Sequence, residues 1–243
     1  MRIAAPTALA LSLTTALAFI AGAAPAQEAR AVYDVRLLGL PVGKMQLAAR
    51  EDGDAYAVTS AFATTGVGRI VDAGFRLSAK GRSAKGHLAP SAYDEQIDTG
   101  SRRSTAQLRY KDGTPRITGG SVAAEVANDA DALDPAAQTG TVDPLTGLYG
   151  VMRDRPGEGL CRYSVVIFDG QRRASLAMTA RREADGRVTC IGVYTRLAGF
   201  SASEMKRQTV YPFSVTYAPQ GALMQAQALS VRSSYGTAEM IRE

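Results

Sequence analysis

The chain has 243 residues, of which 46% are hydrophobic and 21% charged, with a formal net charge of +5, one histidine and two cysteines. One histidine and two cysteines cannot complete a tetrahedral zinc site without carboxylates. The Lys and Arg residues are scattered among acids rather than massed into the basic face of a nucleic-acid binder, and the length suits one sizeable β domain.

Met1-Arg2 is a short basic start, followed by a small-residue apolar run from Ala8 to Ala23 and the small-x-small triplet Ala24-Pro25-Ala26. Charge, length and cleavage chemistry predict a secretory signal peptide over residues 1–26. The run is shorter than the ~20 residues of a bilayer-spanning helix. No Cys stands at the cleavage position to carry a lipid, and no twin-Arg pair precedes the run. Cleavage removes one cation, Arg2, and no acid, so the charge goes from +5 to +4. The expected product is a soluble periplasmic protein of Gram-negative type, with one domain over residues 27–243 and no nucleic-acid partner.

Four Asp-Gly dipeptides punctuate the remainder, at 52–53, 112–113, 169–170 and 185–186. Gly takes positive φ freely and Asp tolerates it, which suits tight turns between antiparallel strands. Around them the residues alternate. Tyr56, Val58 and Phe62 share a side, as do Phe75, Leu77 and Ala79. Tyr163, Val165 and Ile167 precede Asp169-Gly170, and Leu176, Met178 and Ala180 follow it. Tyr211, Phe213, Val215 and Tyr217 form a later set, then Leu223, Leu229 and Val231. Period two between turn signals predicts about ten or eleven strands. The expected fold is mainly β, a strongly curved antiparallel sheet or open barrel with one or two short helices.

Two segments break the alternation. Residues 65–73 are expected to form a short helix or loop across one end of the sheet. Asp143-Pro144-Leu145 reads as a helix start, with Asp143 as cap, Pro144 in the first turn and Leu145, Leu148 and Met152 on one face, running to about Arg153. The stretch before it, Asn128 to Thr141, has no period and is expected to be a linker between two halves of one sheet.

Cys161 and Cys190 are the only cysteines, and in an oxidising compartment an even pair predicts a disulfide. In a simple meander their strands sit two apart, roughly 9.5 Å, whereas bridged Cα atoms lie within about 7 Å. Either Cys161 precedes its strand and folds over toward Cys190, or the strand order is not sequential.

Several segments together resemble a bacterial family of exported proteins known as domain of unknown function 3108. They are the Tyr33-to-Gly43 run (YDVRLLGLPVG), the Asp143-Pro144-Leu145 helix start, Phe168-Asp169-Gly170-Gln171-Arg172-Arg173 between the two cysteines, and Arg196-Leu197-Ala198-Gly199-Phe200. The resemblance implies a periplasmic, strongly curved sheet and supplies no catalytic residues. Sheets of this kind are similar to lipoprotein carriers of the Gram-negative envelope, whose concave face holds acyl chains, an analogy of fold alone.

No nucleophile elbow, Walker loop, dinucleotide fingerprint or His-rich metal motif occurs, so no catalytic residue, metal or cofactor is expected. His87 lies in a turn and is expected to face solvent. Asp94 and Glu95 are adjacent on a strand and so point to opposite faces. The arginine pairs 102–103, 172–173 and 181–182 read as charges that protect strand edges. Arg172 and Arg173 are also candidates to contact a phosphate or carboxylate headgroup, with Asp169 pairing one of them to pin the hairpin. Tyr33, Phe62, Phe75, Tyr93, Phe168, Phe213 and Tyr217 fill a core or line a hollow for an acyl chain. The function expected from these observations is non-enzymatic binding of a lipid-like envelope component on the concave face. The alternatives are an envelope-biogenesis scaffold with a protein partner at exposed strand edges, and a hydrolase of an envelope polymer.

Overall fold

The computed structural model describes residues 27–66, 73–84, 86–100 and 103–243. The expected signal peptide and most of the 65–73 segment lie outside them. Thirteen strands form one antiparallel sheet: β1 (Gln27–Leu37), β2 (Leu40–Asp52), β3 (Ala55–Thr64), β4 (Gly74–Ala84), β5 (His87–Asp98), β6 (Arg103–Lys111), β7 (Thr114–Gly119), β8 (Ser164–Phe168), β9 (Arg173–Ala184), β10 (Arg187–Ala198), β11 (Val210–Gln220), β12 (Leu223–Ser233) and β13 (Gly236–Arg242). The count exceeds the ten or eleven expected because short strands such as β7 (TPRITG) and β13 (GTAEMIR) carry almost no apolar alternation.

The spatial order is β7-β6-β5-β4-β3-β2-β1-β13-β12-β11-β10-β9-β8. Two sequential meanders are thus joined where β1 pairs with β13, Tyr33 opposite Arg242 and Leu37 opposite Ala238. Register shifts at Val35/Arg36, Lys80/Gly81, Gln107/Leu108, Ile191/Gly192, Arg196/Ala198 and Thr216/Tyr217 add local twist and bend the sheet.

The sheet does not close on itself. The connection from β7 to β8 takes a short helix, α1 (Val122–Val126), and a 3-10 turn at Pro135–Ala137, and then spans the gap. Gly140 N–H donates to Gly113 O beside β7 (2.9 Å), and the Thr114 and Thr139 hydroxyls meet at 2.8 Å. Val142 N–H donates to Val166 O and its carbonyl accepts from Phe168 N–H, forming a parallel bridge to β8. The expected linker therefore ties both sheet edges together.

The same connection supplies α2 (Pro144–Met152), which lies inside the curve of the sheet. Asp143 caps it as expected, its Oδ1 accepting from Thr146 N–H at 2.8 Å. The helix is buried on almost every side rather than along one stripe, with Leu145, Thr146, Gly147, Tyr149, Gly150, Val151 and Met152 all buried. Its close approach to β8 needs two glycines. A Cβ on Gly147 would lie 2.8 Å from Ile167, and one on Gly150 2.0 Å from the Tyr163 hydroxyl.

Around α2 pack Tyr33, Tyr56, Val58, Tyr93, Leu108, Phe213, Val215 and Tyr217 from the inner face of the sheet. The Tyr217 hydroxyl donates to Val151 O at the end of the helix. A third helix, α3 (Ala202–Arg207), starts in a capping box of Ser201 and Glu204 and stands beside the β8–β9 loop.

Cys161 and Cys190 form a disulfide with Cα atoms 5.2 Å apart. Strand order is sequential here, and Cys161 precedes β8 in a loop that folds inward over the end of β9. Arg181 holds that loop, donating to Gly157 O at 2.9 Å.

Candidate functional site

α2 occupies most of the concave face, and at one end it leaves a cavity of about 430 Å³. Its apolar wall comes from Ile97 on β5, Val122 on α1, Leu148 on α2 and Ile167, Ala174 and Leu176 on β8 and β9. Leu148 is one of the few partly exposed residues of α2, and this cavity is what it faces. Polar groups enter from the sheet ends: Glu95, Ser104, Asp169, Gln171, Arg172 and Tyr194.

The two carboxylates among them are held by hydrogen bonds. Glu95 accepts a hydrogen bond from the Tyr93 hydroxyl. Burial raises the Glu95 pKa, the Tyr93 bond opposes this, and the negative charge of Asp169 adds to the rise. Asp169 Oδ1 accepts from Gln171 N–H (2.9 Å) and Arg172 N–H (2.8 Å), and burial still outweighs these bonds to raise its pKa. The hairpin is therefore pinned by backbone donors to Asp169, and the Arg172 charge acts on the same carboxylate. Burial likewise pushes the Tyr194 hydroxyl up to about 12.

Arg172 lies over the Phe200 ring at 5.4 Å, and its Nη2 is 3.6 Å from Glu204 on α3. Its Nε is buried and has no partner among the described residues. Arg173 turns away, with Nη1 3.5 Å from Gln138 Oε1, so only Arg172 of the expected headgroup pair reaches the cavity.

Beneath the cavity, Asp143 is fully buried. Its Oδ2 accepts from the Thr146 hydroxyl at 2.6 Å, which in turn meets the Tyr56 hydroxyl at 2.8 Å. Burial pushes the Asp143 pKa up to about 6 against the hydrogen bonds from Thr146.

The expected aromatic lining divides. Tyr33, Tyr93, Phe168, Phe213 and Tyr217 are buried in the core, and Tyr33 borders a void of about 40 Å³. Of the two roles open to them, these five take core packing, because α2 fills the face toward which they point. Phe62 and Phe75 stack at 5.5 Å and border a cleft of about 730 Å³ near the ends of β2–β6. A further open trough of about 660 Å³ crosses the outer face of β1–β5 over small side chains such as Ala48, Thr59, Ala61 and Ser78. Neither combines an apolar wall with buried charge as the inner cavity does.

His87 is exposed at the start of β5, at the opposite end of the sheet. Asp94 and Glu95 do point to opposite faces, Asp94 pairing with Arg109 at 2.9 Å on the outside. No group of three His, Cys, Asp or Glu among the described residues is arranged to hold a metal ion. Sequence reading passed over Glu95 as a cavity residue, and over Leu148 and Tyr194. The dyad pattern alone places Glu95 on the inner face, in phase with Tyr93 and Ile97.

Among solved structures, the chain is similar to a beta-barrel-like protein of domain of unknown function DUF1849 from Brucella abortus. Identity is 11%, with 88% of this chain and 94% of that chain covered and a TM-score of 0.47. No curated protein matches the chain. Residues 32–226, running from the middle of β1 into β12, match the family described as "Protein of unknown function (DUF3108)", and the chain belongs to that family.

Proposed function

We propose that this chain is a non-enzymatic periplasmic binding protein for an amphipathic, lipid-like envelope component held in the cavity between α2 and the sheet. The observation that carries this reading is the composition of that cavity: about 430 Å³, walled by Ile97, Val122, Leu148, Ile167 and Leu176, with Arg172 and Glu95 among its polar groups. That volume lies within the range of small-molecule pockets. About ten buried methylenes would supply the free energy of micromolar binding before ordering costs. The Arg172 guanidinium group, at the edge of the cavity, supplies a contact for an anionic or polar headgroup.

The scaffold alternative relied on exposed strand edges. Its support is reduced, because the 139–142 segment makes contacts at both β7 and β8. A hydrolase has one observation in its favour, the presence of Glu95 and Asp169 in one cavity with raised pKa values.

Native mass spectrometry of protein purified from its own host tests the reading. The expected result is a co-purified amphipathic molecule that raises the melting temperature when added back. A Leu148→Trp variant, which fills the cavity from its open side, is expected to lose the ligand and keep a cooperative melt. Wild-type protein that is always ligand-free and unmoved by added lipids overturns the proposal. A cleaved product on the wild type, retained uncleaved by Glu95→Gln, replaces it with the hydrolase reading.

A further inference from the structure

Seven large hydrophobic side chains are exposed among the described residues, and four of them are on two neighbouring turns: Leu37, Leu38 and Leu40 on the β1–β2 turn and Tyr235 on the β12–β13 turn. Leu38 and Tyr235 are each 67% exposed and Leu40 61%. The four form one surface. Leu38 N–H donates to Thr237 O at 2.9 Å, and the Leu38 side chain covers Gly236, where a Cβ would meet it at 2.1 Å. The Tyr235 hydroxyl accepts from Arg207 at 2.6 Å, and Ser234 N–H donates to Gln208 Oε1 at 2.6 Å, tying the end of α3 to the same place.

Nothing in the fold requires a leucine at the tip. Leu38 has φ 53, the left-handed region that a bulky side chain avoids, and two other turns of this chain put Asp112 and Asp185 there at φ 52 and 51. Leu38 forgoes both conformational ease and solvation, as an exposed apolar patch with a binding role does.

Cations surround the tip. Arg36 and Arg232 stand on the outer face beside it, and Lys206 and Arg207 end α3. None of the four forms an ion pair among the described residues. The acid directly across from Arg36 is Glu239. The tip also shares its end of the sheet with the cavity mouth. β1 and β5 run in the same direction, so Leu37 and Asp98 lie toward the same end of the sheet, and the Arg172–Glu204 contact joins the cavity rim to α3. No helix of the described residues is long and apolar enough to cross a membrane.

We infer that this end of the molecule seats on a bilayer surface bearing anionic headgroups. Leu38, Leu40 and Tyr235 enter the headgroup boundary, and Arg36, Lys206, Arg207 and Arg232 face the phosphates. Leucines with an aromatic residue and flanking cations suit that boundary. Four side chains on hairpin tips fall far short of the roughly 20–30 residues a side of a stable protein interface. Only the purpose of this contact, exchange of a ligand at the membrane, rests on the cavity reading.

The protein has no tryptophan, so Leu38→Trp provides a single fluorophore at the tip. Its emission is expected to shift to the blue with vesicles of phosphatidylcholine and phosphatidylglycerol, and far less with phosphatidylcholine alone or in high salt. Leu38→Asp with Leu40→Asp, and separately Lys206→Glu with Arg207→Glu, are expected to lower partitioning by at least roughly tenfold. Both pairs are expected to keep a cooperative melt. No shift with anionic vesicles overturns the inference, as does binding by both double variants equal to that of wild type, or a protein crosslinked at position 38 in place of lipid. The wild-type protein tells the two proposals apart. Vesicle binding without a recoverable ligand defeats only the cavity reading, and a bound ligand without vesicle binding defeats only the docking.

Discussion

A carboxyl group sealed from solvent has to be supplied with donors or kept protonated, and Asp143 takes some of each. It receives the Thr146 N–H and hydroxyl, and its pKa still rises from 3.8 to about 6 through burial. The unfolded chain releases this proton near 3.8, whereas the folded protein keeps it until about 6. Stability from this group is therefore full below the unfolded value and falls as pH rises through the folded one. Asp143→Asn keeps a cap acceptor and does not titrate. Urea unfolding over a pH series is expected to show its stability, relative to wild type, rising by about 3 kcal/mol between about pH 4 and pH 7. A difference that stays constant with pH would refute the assignment. The cap was legible because Asp-Pro-Leu is a local signal, but the titration was not, because the burial comes from strands distant in sequence. The same holds for Tyr33 and Phe213. Their apolar phase could be read, and the helix that covers them could not.

At the level of elements, glycine marks where α2 is pressed against its neighbours. Ala is the better helix former by about 1 kcal/mol, yet Gly150→Ala is expected to destabilise by roughly 1–3 kcal/mol, because the new methyl meets the Tyr163 hydroxyl and ring. Chemical denaturation of the single variant checks this, and a gain in stability would contradict the packing. Sequence anticipated the turns unevenly. Asp112-Gly113 and Asp185-Gly186 each place two positive-φ residues in a tight hairpin. Asp52-Gly53 is displaced by one, since Asp52 pairs with Ala55 and the loop is Gly53-Asp54. Leu38-Gly39 builds the same kind of turn and went unseen, because leucine is not a residue that signals one. The helix Pro144–Met152 matched its expected limits, while its amphipathic stripe did not, since the sheet wraps around it.

For the whole molecule, the disulfide is the covalent tie between the loop entering β8 and the sheet interior. It closes a loop with a sequence separation of 29. Replacing both cysteines by serine is expected to cost about 3–4 kcal/mol in the chain-entropy treatment, measurable as a lower denaturant midpoint. A midpoint unchanged from wild type would mean that the Arg181–Gly157 contact and core packing hold the loop alone. The curved antiparallel architecture was legible from dyad repeats and Asp-Gly turns. The central joint was not, because pairing of β1 with β13 leaves no local trace in either strand.

That joint sets the order in which the molecule can be finished. Twelve neighbour pairs make up the sheet, and eleven of them unite strands adjacent in sequence. Each of those eleven forms by local hairpin closure. The twelfth waits for β13, last in chain order of these thirteen strands, which becomes the keystone between the two meanders rather than a late addition to a margin. Deleting the seven residues of β13 would part the protein down its centre. Deleting the six of β7 would trim a border.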